Sequence, residues 1–207
     1  MSYSSIMVHV TPSAHVSNRI KLAGALADRF GAALIGIAAR PASLVAFNDH
    51  GRLEDRLIKH ELKVASDQVE EAERLFRQVS GTRNLVEWRS TVGWPTPFLI
   101  EQARAADLIV VSREDIDAHE DERFGIDRAD VLIDAGRPLL VTPPQLDSLS
   151  AERVVIAWKN TREARRAISV TLPLLKMARK VLVAGICDAR EIETVEQELA
   201  DVSQRLE

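Results

Sequence analysis

The stretch SIMVHVTPSAHVSNRIKLAGALADRFGAALIGIA, residues 5–38, decides the fold of this chain. Its two ends are short, β-branched runs without sustained polar alternation, which is typical of parallel strands buried on both faces. Between them, apolar residues recur every three or four positions, as in an amphipathic helix. Gly31 stands where a left-handed cap would end that helix. The stretch therefore predicts a β-α-β unit of a parallel sheet.

The same pattern returns at residues 153–186, RVVIAWKNTREARRAISVTLPLLKMARKVLVAGI. The two stretches align without a gap at an offset of 148, which places Ile6 on Val154 (154 − 6) and Leu34 on Leu182 (182 − 34). A repeat of this length indicates a repeated architectural unit. The second copy runs only to Glu207, so we interpret it as half a domain, which is marginal alone. We expect it to pack on the first domain or on a second chain, or to be trimmed from a longer protein, and we favour trimming.

Further strands and helices are predicted between the two copies. The strands are expected at residues 85–89, 108–111 and 139–141. One helix is expected at 53–79 and another at 127–135. Between them, a helix is expected to begin after Thr96 as its cap, with Pro97 in the first helical position. The predicted fold class is α/β, a doubly wound (Rossmann-like) five-stranded parallel sheet followed by an incomplete β-α-β-α copy. The predicted domains are 1–144 and 153–207, joined by a linker at 145–152.

Composition excludes several classes of function. The net charge of −4 gives no reason to expect nucleic acid or an anionic membrane as a partner. No apolar run approaches the ~20 residues of a membrane span, and the N-terminus shows no export signal. The single cysteine, Cys187, cannot form an internal disulfide and has no metal-ligand spacing around it. A cytoplasmic location is therefore predicted.

Ligands of open α/β sheets bind beyond the carboxyl ends of the strands, where the strand order reverses. The candidate positions are Thr11, Pro12 and Ser13 after the first strand, Ala39 after the second, and Ser112 and Arg113 after the fourth. The loop between Ser112 and Gly125 carries six carboxylates. A solvated loop is expected there, because the glycine and the closing glutamate of a calcium loop are both missing.

Residues 5–143 resemble a universal stress protein domain, and residues from Arg153 onward resemble the start of a second one. The most specific motifs are VGWP at 92–95, ARAADLIVVS at 103–112, FG at 124–125 and GRPLLVTP at 136–143. Proteins of this family are often tandem, in agreement with the internal repeat. The resemblance implies a dimerising stress-response protein.

Nucleotide-binding members of the family are similar in using a Gly-x2-Gly-x9-Gly-Ser/Thr loop after strand four, whose backbone N–H groups close on phosphate. The corresponding positions here are Ser112, Asp115, Gly125 and Ile126, so only Gly125 matches. The family's acidic residue after strand one corresponds to Thr11, and in the second copy to Lys159. The cofactor that the resemblance implies, ATP or another adenine nucleotide, would thus meet a degenerate site. Cationic side chains near the loop either meet phosphate directly or neutralise the acidic loop; they are Arg113, Arg123 and Arg128.

The predicted function is therefore a non-catalytic stress-response module with a degenerate adenine-nucleotide site. The alternatives are an ATP-binding protein with slow turnover and a dimeric scaffold with no ligand. No nucleophile elbow surrounds Ser13, and no Walker or dinucleotide motif occurs, so an enzyme is not expected. We also predict a homodimer, formed through the unpaired edge of the fifth strand (Pro138 to Thr142), through the incomplete second domain, or through both.

Overall fold

The structure is a computed structural model that describes residues 2–42, 55–113 and 125–206. The chain divides into two compact units, Tyr3–Leu149 and Ser150–Glu207, here called the first and the second unit. Each unit is described by itself.

The first unit contains a five-stranded parallel sheet, which confirms the predicted fold class. Its strands are β1 (Ser5–His9), β2 (Ala33–Ala39), β3 (Val86–Thr91), β4 (Leu108–Ser112) and β5 (Leu139–Thr142). Their order is β3-β2-β1-β4-β5. The chain winds outward from β1 to β3 and then crosses back to β4, so the order reverses between β1 and β4.

The helices of the first unit are α1 (Val16–Phe30), α2 (Asp55–Ser80), α3 (Pro95–Gln102) and α4 (Arg128–Asp134). The predicted cap of α1 is confirmed: Gly31 has a φ of 64°, a conformation that costs glycine little. The Ala32 N–H donates to the Ala27 carbonyl at 2.8 Å, and the Gly31 N–H donates to the Asp28 carbonyl at 3.3 Å. These two bonds form a Schellman motif, which satisfies the last carbonyls of the helix.

The predicted start of α3 is wrong by two residues. Pro95, not Pro97, takes the first helical position, and Trp94 precedes it in an extended conformation without a side-chain cap. The extended conformation of Trp94 agrees with the restriction that Pro95 places on the residue before it, and Pro95 fits the first helical position because its missing N–H would have no partner within the helix. Thr96 therefore lies inside the first turn, and its hydroxyl accepts from the Asp127 N–H at 2.8 Å. After Gln102 the chain tightens into a 3₁₀ turn at Ala103–Ala105.

The sheet of the first unit is covered on both faces. α1 and α2 pack on one face, where Phe76 of α2 lies against Trp88 of β3 with ring centroids 5.3 Å apart. α3 and α4 cover the other face, where a buried cluster joins strand residues such as Met7 and Ile35 to Leu99 and Val131 of the helices. Burial on both faces accounts for the near-continuous apolar runs of the strands.

The second unit consists of β6 (Arg153–Trp158), α5 (Arg162–Leu175), β7 (Lys180–Gly185) and α6 (Ile192–Leu206). β6 and β7 pair in parallel. Thr161 caps α5, since its hydroxyl accepts from the Ala164 N–H at 3.2 Å. Pro173 lies within the last turn of α5, which ends two residues later.

The two copies differ by one residue in their strand pairing. Ile6 lies opposite Leu34 in the first unit, 28 residues along the chain (34 − 6). Val154 lies opposite Val181 in the second unit, 27 residues along (181 − 154). The ungapped sequence alignment therefore does not hold beyond the helix. α1 ends in a glycine cap and is joined to β2 by residues 31–32, whereas α5 ends with Lys176 in a right-handed helical conformation and is joined to β7 by residues 176–179.

Candidate functional site

The structure brings the predicted strand-end residues to one edge of the first sheet. Thr11, Pro12 and Ser13 follow β1, Ala39 is the last residue of β2, and Ser112 is the last residue of β4. Thr11, Ala39 and Ser112 are buried, and Pro12 is exposed. The reversal of strand order lies between β1 and β4, so this edge is the candidate site.

The buried side chain of Arg19, on α1, forms hydrogen bonds with the carboxyl end of β1. Its Nε donates to the His9 carbonyl at 2.8 Å, and its Nη2 donates to Thr11 Oγ1 at 2.8 Å. Only 4% of Arg19 is exposed, so these charge-assisted bonds are formed away from solvent. The sequence prediction missed Arg19. A signal was present, because Arg19 falls in the apolar stripe of α1 between Val16 and Ala23 at helical spacing.

His9 lies beside this arginine and is uncharged. Burial and, to a lesser degree, the nearby Arg19 guanidinium lower the pKa of His9 from 6.5 to about 3. Neither ring nitrogen has a hydrogen-bond partner among the residues that the structure describes. A neutral imidazole supplies no positive charge to an anionic ligand at neutral pH.

Arg40 is a second buried arginine at the same edge. It directly follows β2, and its backbone bridges to the β3–α3 turn: its N–H donates to the Thr91 carbonyl at 3.3 Å, and its carbonyl accepts from the Gly93 N–H at 3.0 Å. In contrast, Trp94 in the same turn is 67% exposed. Trp94 therefore does not pack between the sheet and a helix.

The β4 side of the edge is tied to β5. The Arg113 N–H donates to the Thr142 carbonyl at 2.8 Å, and Thr142 Oγ1 donates to the Val111 carbonyl at 3.2 Å. The Arg113 side chain is exposed. The predicted acidic loop, including Asp115, Arg123 and Phe124, lies outside the described residues.

The start of α4 carries its own carboxylate. Asp127 is the cap residue, and its Oδ1 accepts from the N–H groups of Ala129 at 2.8 Å and Asp130 at 3.1 Å. Its own N–H is bound by Thr96. Gly125 is half-buried, and Ile126 is 7% exposed and packs in the cluster with Met7 and Val131. The free N–H groups at this helix start are thus partly satisfied from within the chain.

The corresponding edge of the second unit is held by Glu198 of α6. This carboxylate accepts from Trp158 Nε1 at 3.4 Å and from Asn160 Nδ2 at 2.9 Å. Arg165 of α5 donates to the Asn160 side-chain oxygen. Lys159, which stands where the family's acidic residue would be, is exposed. This edge is a network of side chains that stabilises the unit.

Within residues 2–42, 55–113 and 125–206, no three histidine, cysteine or acidic side chains are placed to hold a metal ion. None of the helices in these ranges is long and apolar enough to cross a membrane.

No protein-family model matches the chain, and no curated protein matches it. Among solved structures, universal stress protein UspA from Lactobacillus plantarum is 19% identical over 68% of this chain and 98% of its own, with a TM-score of 0.55. A universal stress protein from Archaeoglobus fulgidus DSM 4304 is 13% identical over 97% of this chain and 74% of its own, with a TM-score of 0.55. A universal stress protein in complex with cAMP is 23% identical over 70% of this chain and 99% of its own, with a TM-score of 0.42. The two structures with a TM-score of 0.55 show that the fold is that of the universal stress proteins.

Proposed function

We propose that this chain is a universal stress protein-like, non-catalytic stress-response module whose adenine-nucleotide site, at the carboxyl edge of the first sheet, is degenerate. The proposal rests on the fold, on the position of the edge at the reversal of strand order, and on the chemistry of the residues found there. A cytoplasmic location belongs to the same proposal.

The observation that carries the proposal is the capping of α4 by Asp127. A phosphate group at a helix start needs free backbone N–H groups and tolerates no competing negative charge. Here the Asp127 carboxylate already accepts from the Ala129 and Asp130 N–H groups. A nucleotide phosphate would have to displace this carboxylate while being repelled by it.

The neighbouring positions support the same conclusion. Ile126 stands at the position of the family's phosphate-binding hydroxyl, but its side chain is buried in the core and offers no donor. At the end of β1, the Thr11 hydroxyl replaces the family's carboxylate and is engaged by Arg19. Groups of the chain itself therefore already bind the Thr11 hydroxyl at one end of the candidate site and two backbone N–H groups at the other.

Calorimetry with ATP and Mg²⁺ tests the proposal. We expect a dissociation constant weaker than about 10 μM, which corresponds to about −7 kcal/mol. Tighter binding by the full chain would overturn the degenerate site. It would favour the alternative, an ATP-binding protein with slow turnover, and phosphate release measured on the same sample would detect that turnover. The exposed Arg113 at the end of β4 is the observation that favours this alternative.

We also propose that the chain dimerises through the edge of β5, within the segment Pro138 to Thr142. β5 is the last strand of the first sheet, and Val141 is exposed on it. Leu132 and Ile133 of the preceding helix are exposed as well. An unpaired, apolar strand edge favours pairing with another chain. Light scattering should give a dimer mass, which Val141→Lys lowers; a clean monomer at micromolar concentration would refute this interface. A dimer that binds no nucleotide would favour the third candidate, a scaffold.

A further inference from the structure

Buried polar atoms without a hydrogen-bond partner are rare in folded proteins, and each one needs an explanation. His9, the last residue of β1, has two such atoms: neither Nδ1 nor Nε2 has a partner within residues 2–42, 55–113 and 125–206. Only 1% of the residue is exposed, so bulk water does not satisfy them. A leucine at this position would leave no side-chain donor or acceptor unsatisfied.

His9 lies on the sheet face that α3 and α4 cover. Alternation along β1 puts it on the same face as Met7, and Ile37 of β2 lies opposite it. Met7 and Ile37 belong to the apolar cluster that joins the sheet to α3 and α4. Two residues beyond Ile37, on the same face, Ala39 lies opposite Thr91 of β3. The imidazole thus stands at the end of an apolar cluster, next to smaller side chains at the carboxyl edge of the sheet.

These surroundings determine what can bind the imidazole. A single water molecule needs two to four polar partners, and the cluster on this face is apolar. A partner for His9 must therefore bring apolar surface together with a donor and an acceptor of its own. It must also be uncharged, because burial lowers the pKa of His9 to about 3, and a neutral imidazole does not compensate a buried anion.

We propose that His9 binds an uncharged heteroaromatic base, as in a nucleoside, at the carboxyl edge of the first sheet. Such a base has apolar faces, which suit the cluster, and donors and acceptors along its rim, which suit the two ring nitrogens. The His9 carbonyl accepts from Arg19 Nε at 2.8 Å, so the ring is presented from a fixed backbone. This assignment rests on the proposed function, in which the Asp127 carboxylate repels phosphate and only the uncharged part of a nucleotide is left to bind.

Calorimetry on the full chain with adenosine, AMP and ATP tests this binding. Adenosine should bind at least about tenfold more tightly than AMP, whereas a phosphate-binding site would give the reverse order. His9→Leu should raise the dissociation constant of adenosine at least about tenfold, because a donor and an acceptor are lost. His9→Gln keeps a donor and an acceptor and should raise it less. The matched control is Met7→Leu, a change of similar volume on the same face, which should alter it less than about twofold.

The stability of the unliganded variant separates a loss of binding from a loss of the fold. His9→Leu removes no hydrogen bond of the ring to the described residues, so its melting temperature at pH 7 should be no lower than that of the wild type.

Nuclear magnetic resonance provides a second measurement. The ring-nitrogen resonances of His9, assigned by their absence from His9→Leu, should shift when the full chain is saturated with adenosine. Unchanged His9 resonances, equal adenosine affinities of the wild type and His9→Leu, or no adenosine binding at about 1 mM would each overturn the inference. In all three cases the proposed function stands as long as ATP binds more weakly than about 10 μM, so the two failures are distinguishable.

Discussion

Replacing Gly36 by alanine tests the packing that holds α2 on the sheet. Gly36 lies on β2 opposite Val8 and Trp88. A Cβ added there would lie 2.7 Å from Trp88 Cε3 and 2.8 Å from both Phe76 Cδ atoms. The two rings already pack against each other, and Phe76 is fully buried. Neither ring can move aside without disturbing its neighbour, so the methyl group has no space.

The loss of stability expected for Gly36→Ala follows from overpacking of the core. One added methyl group in a well-packed core costs about 1–3 kcal/mol. At about 2–4 °C per kcal/mol for a domain of this size, the melting temperature should fall measurably. Thermal or urea unfolding, followed by tryptophan fluorescence and circular dichroism, gives the change in the free energy of unfolding.

Gly93→Ala is the matched control. The Cβ of Gly93 would have its nearest contact at 3.5 Å, to Thr91, which is ordinary van der Waals distance. This substitution should change the stability by less than about 0.5 kcal/mol. In a Trp88→Leu background, the loss of stability caused by Gly36→Ala should fall by at least about 0.5 kcal/mol, because one of the two rings that the added methyl group meets is gone. Equal stability of the Gly36→Ala and Gly93→Ala variants would refute the reasoning.

Three further predictions concern the candidate site. The pKa of His9 is about 3 in the folded state and 6.5 in the unfolded state. The contribution of the neutral His9 to the free energy of unfolding is therefore fully present above pH 6.5 and is lost as the pH falls toward 3. Between these limits the wild type should lose about 1.4 kcal/mol per pH unit relative to His9→Leu in urea unfolding; parallel pH profiles would contradict this. Asp127→Ala should lower the free energy of unfolding by about 1 kcal/mol, because the α4 cap is lost. Asp127→Asn keeps the cap and should lower it by only about a few tenths of a kcal/mol. Equal losses for the two variants in thermal unfolding would argue against capping. Arg19→Met leaves the His9 carbonyl and the Thr11 hydroxyl without their donor. Chemical unfolding should therefore show a free energy of unfolding lower by about 1–3 kcal/mol. An unchanged free energy of unfolding would show that these hydrogen bonds contribute little to stability.

The sequence predicted the elements whose signals are local. The apolar runs of the strands and the glycine after Phe30 specified the β-α-β unit, because burial and a left-handed cap depend on neighbouring residues. The start of α3 was misplaced because two prolines and a threonine compete there, and the hydroxyl of Thr96 is used by Asp127, 31 residues away.

The candidate site was predicted only in outline. The strand ends could be located from the alternation of strands and helices. The contacts that fill the edge could not, because Arg19 reaches His9 and Thr11 from an adjacent helix, and Asp127 was read only as the first residue of a helix. The one-residue difference between the copies was also hidden, since an ungapped alignment cannot report how a helix ends.

The carboxylate at the start of α4 has a consequence for signalling. A protein that senses the energy state of a cell must exist in two forms, one with nucleotide and one without, and the difference between them is the signal. Under the function proposed above, the Asp127 carboxylate fills the anion position, and the local concentration of this covalently attached group does not vary with metabolism. Under the function proposed above, such a module has a single state with respect to ATP. Its effect would then depend on how much of the protein is made and on what it assembles with. Each additional copy would be active without first binding nucleotide.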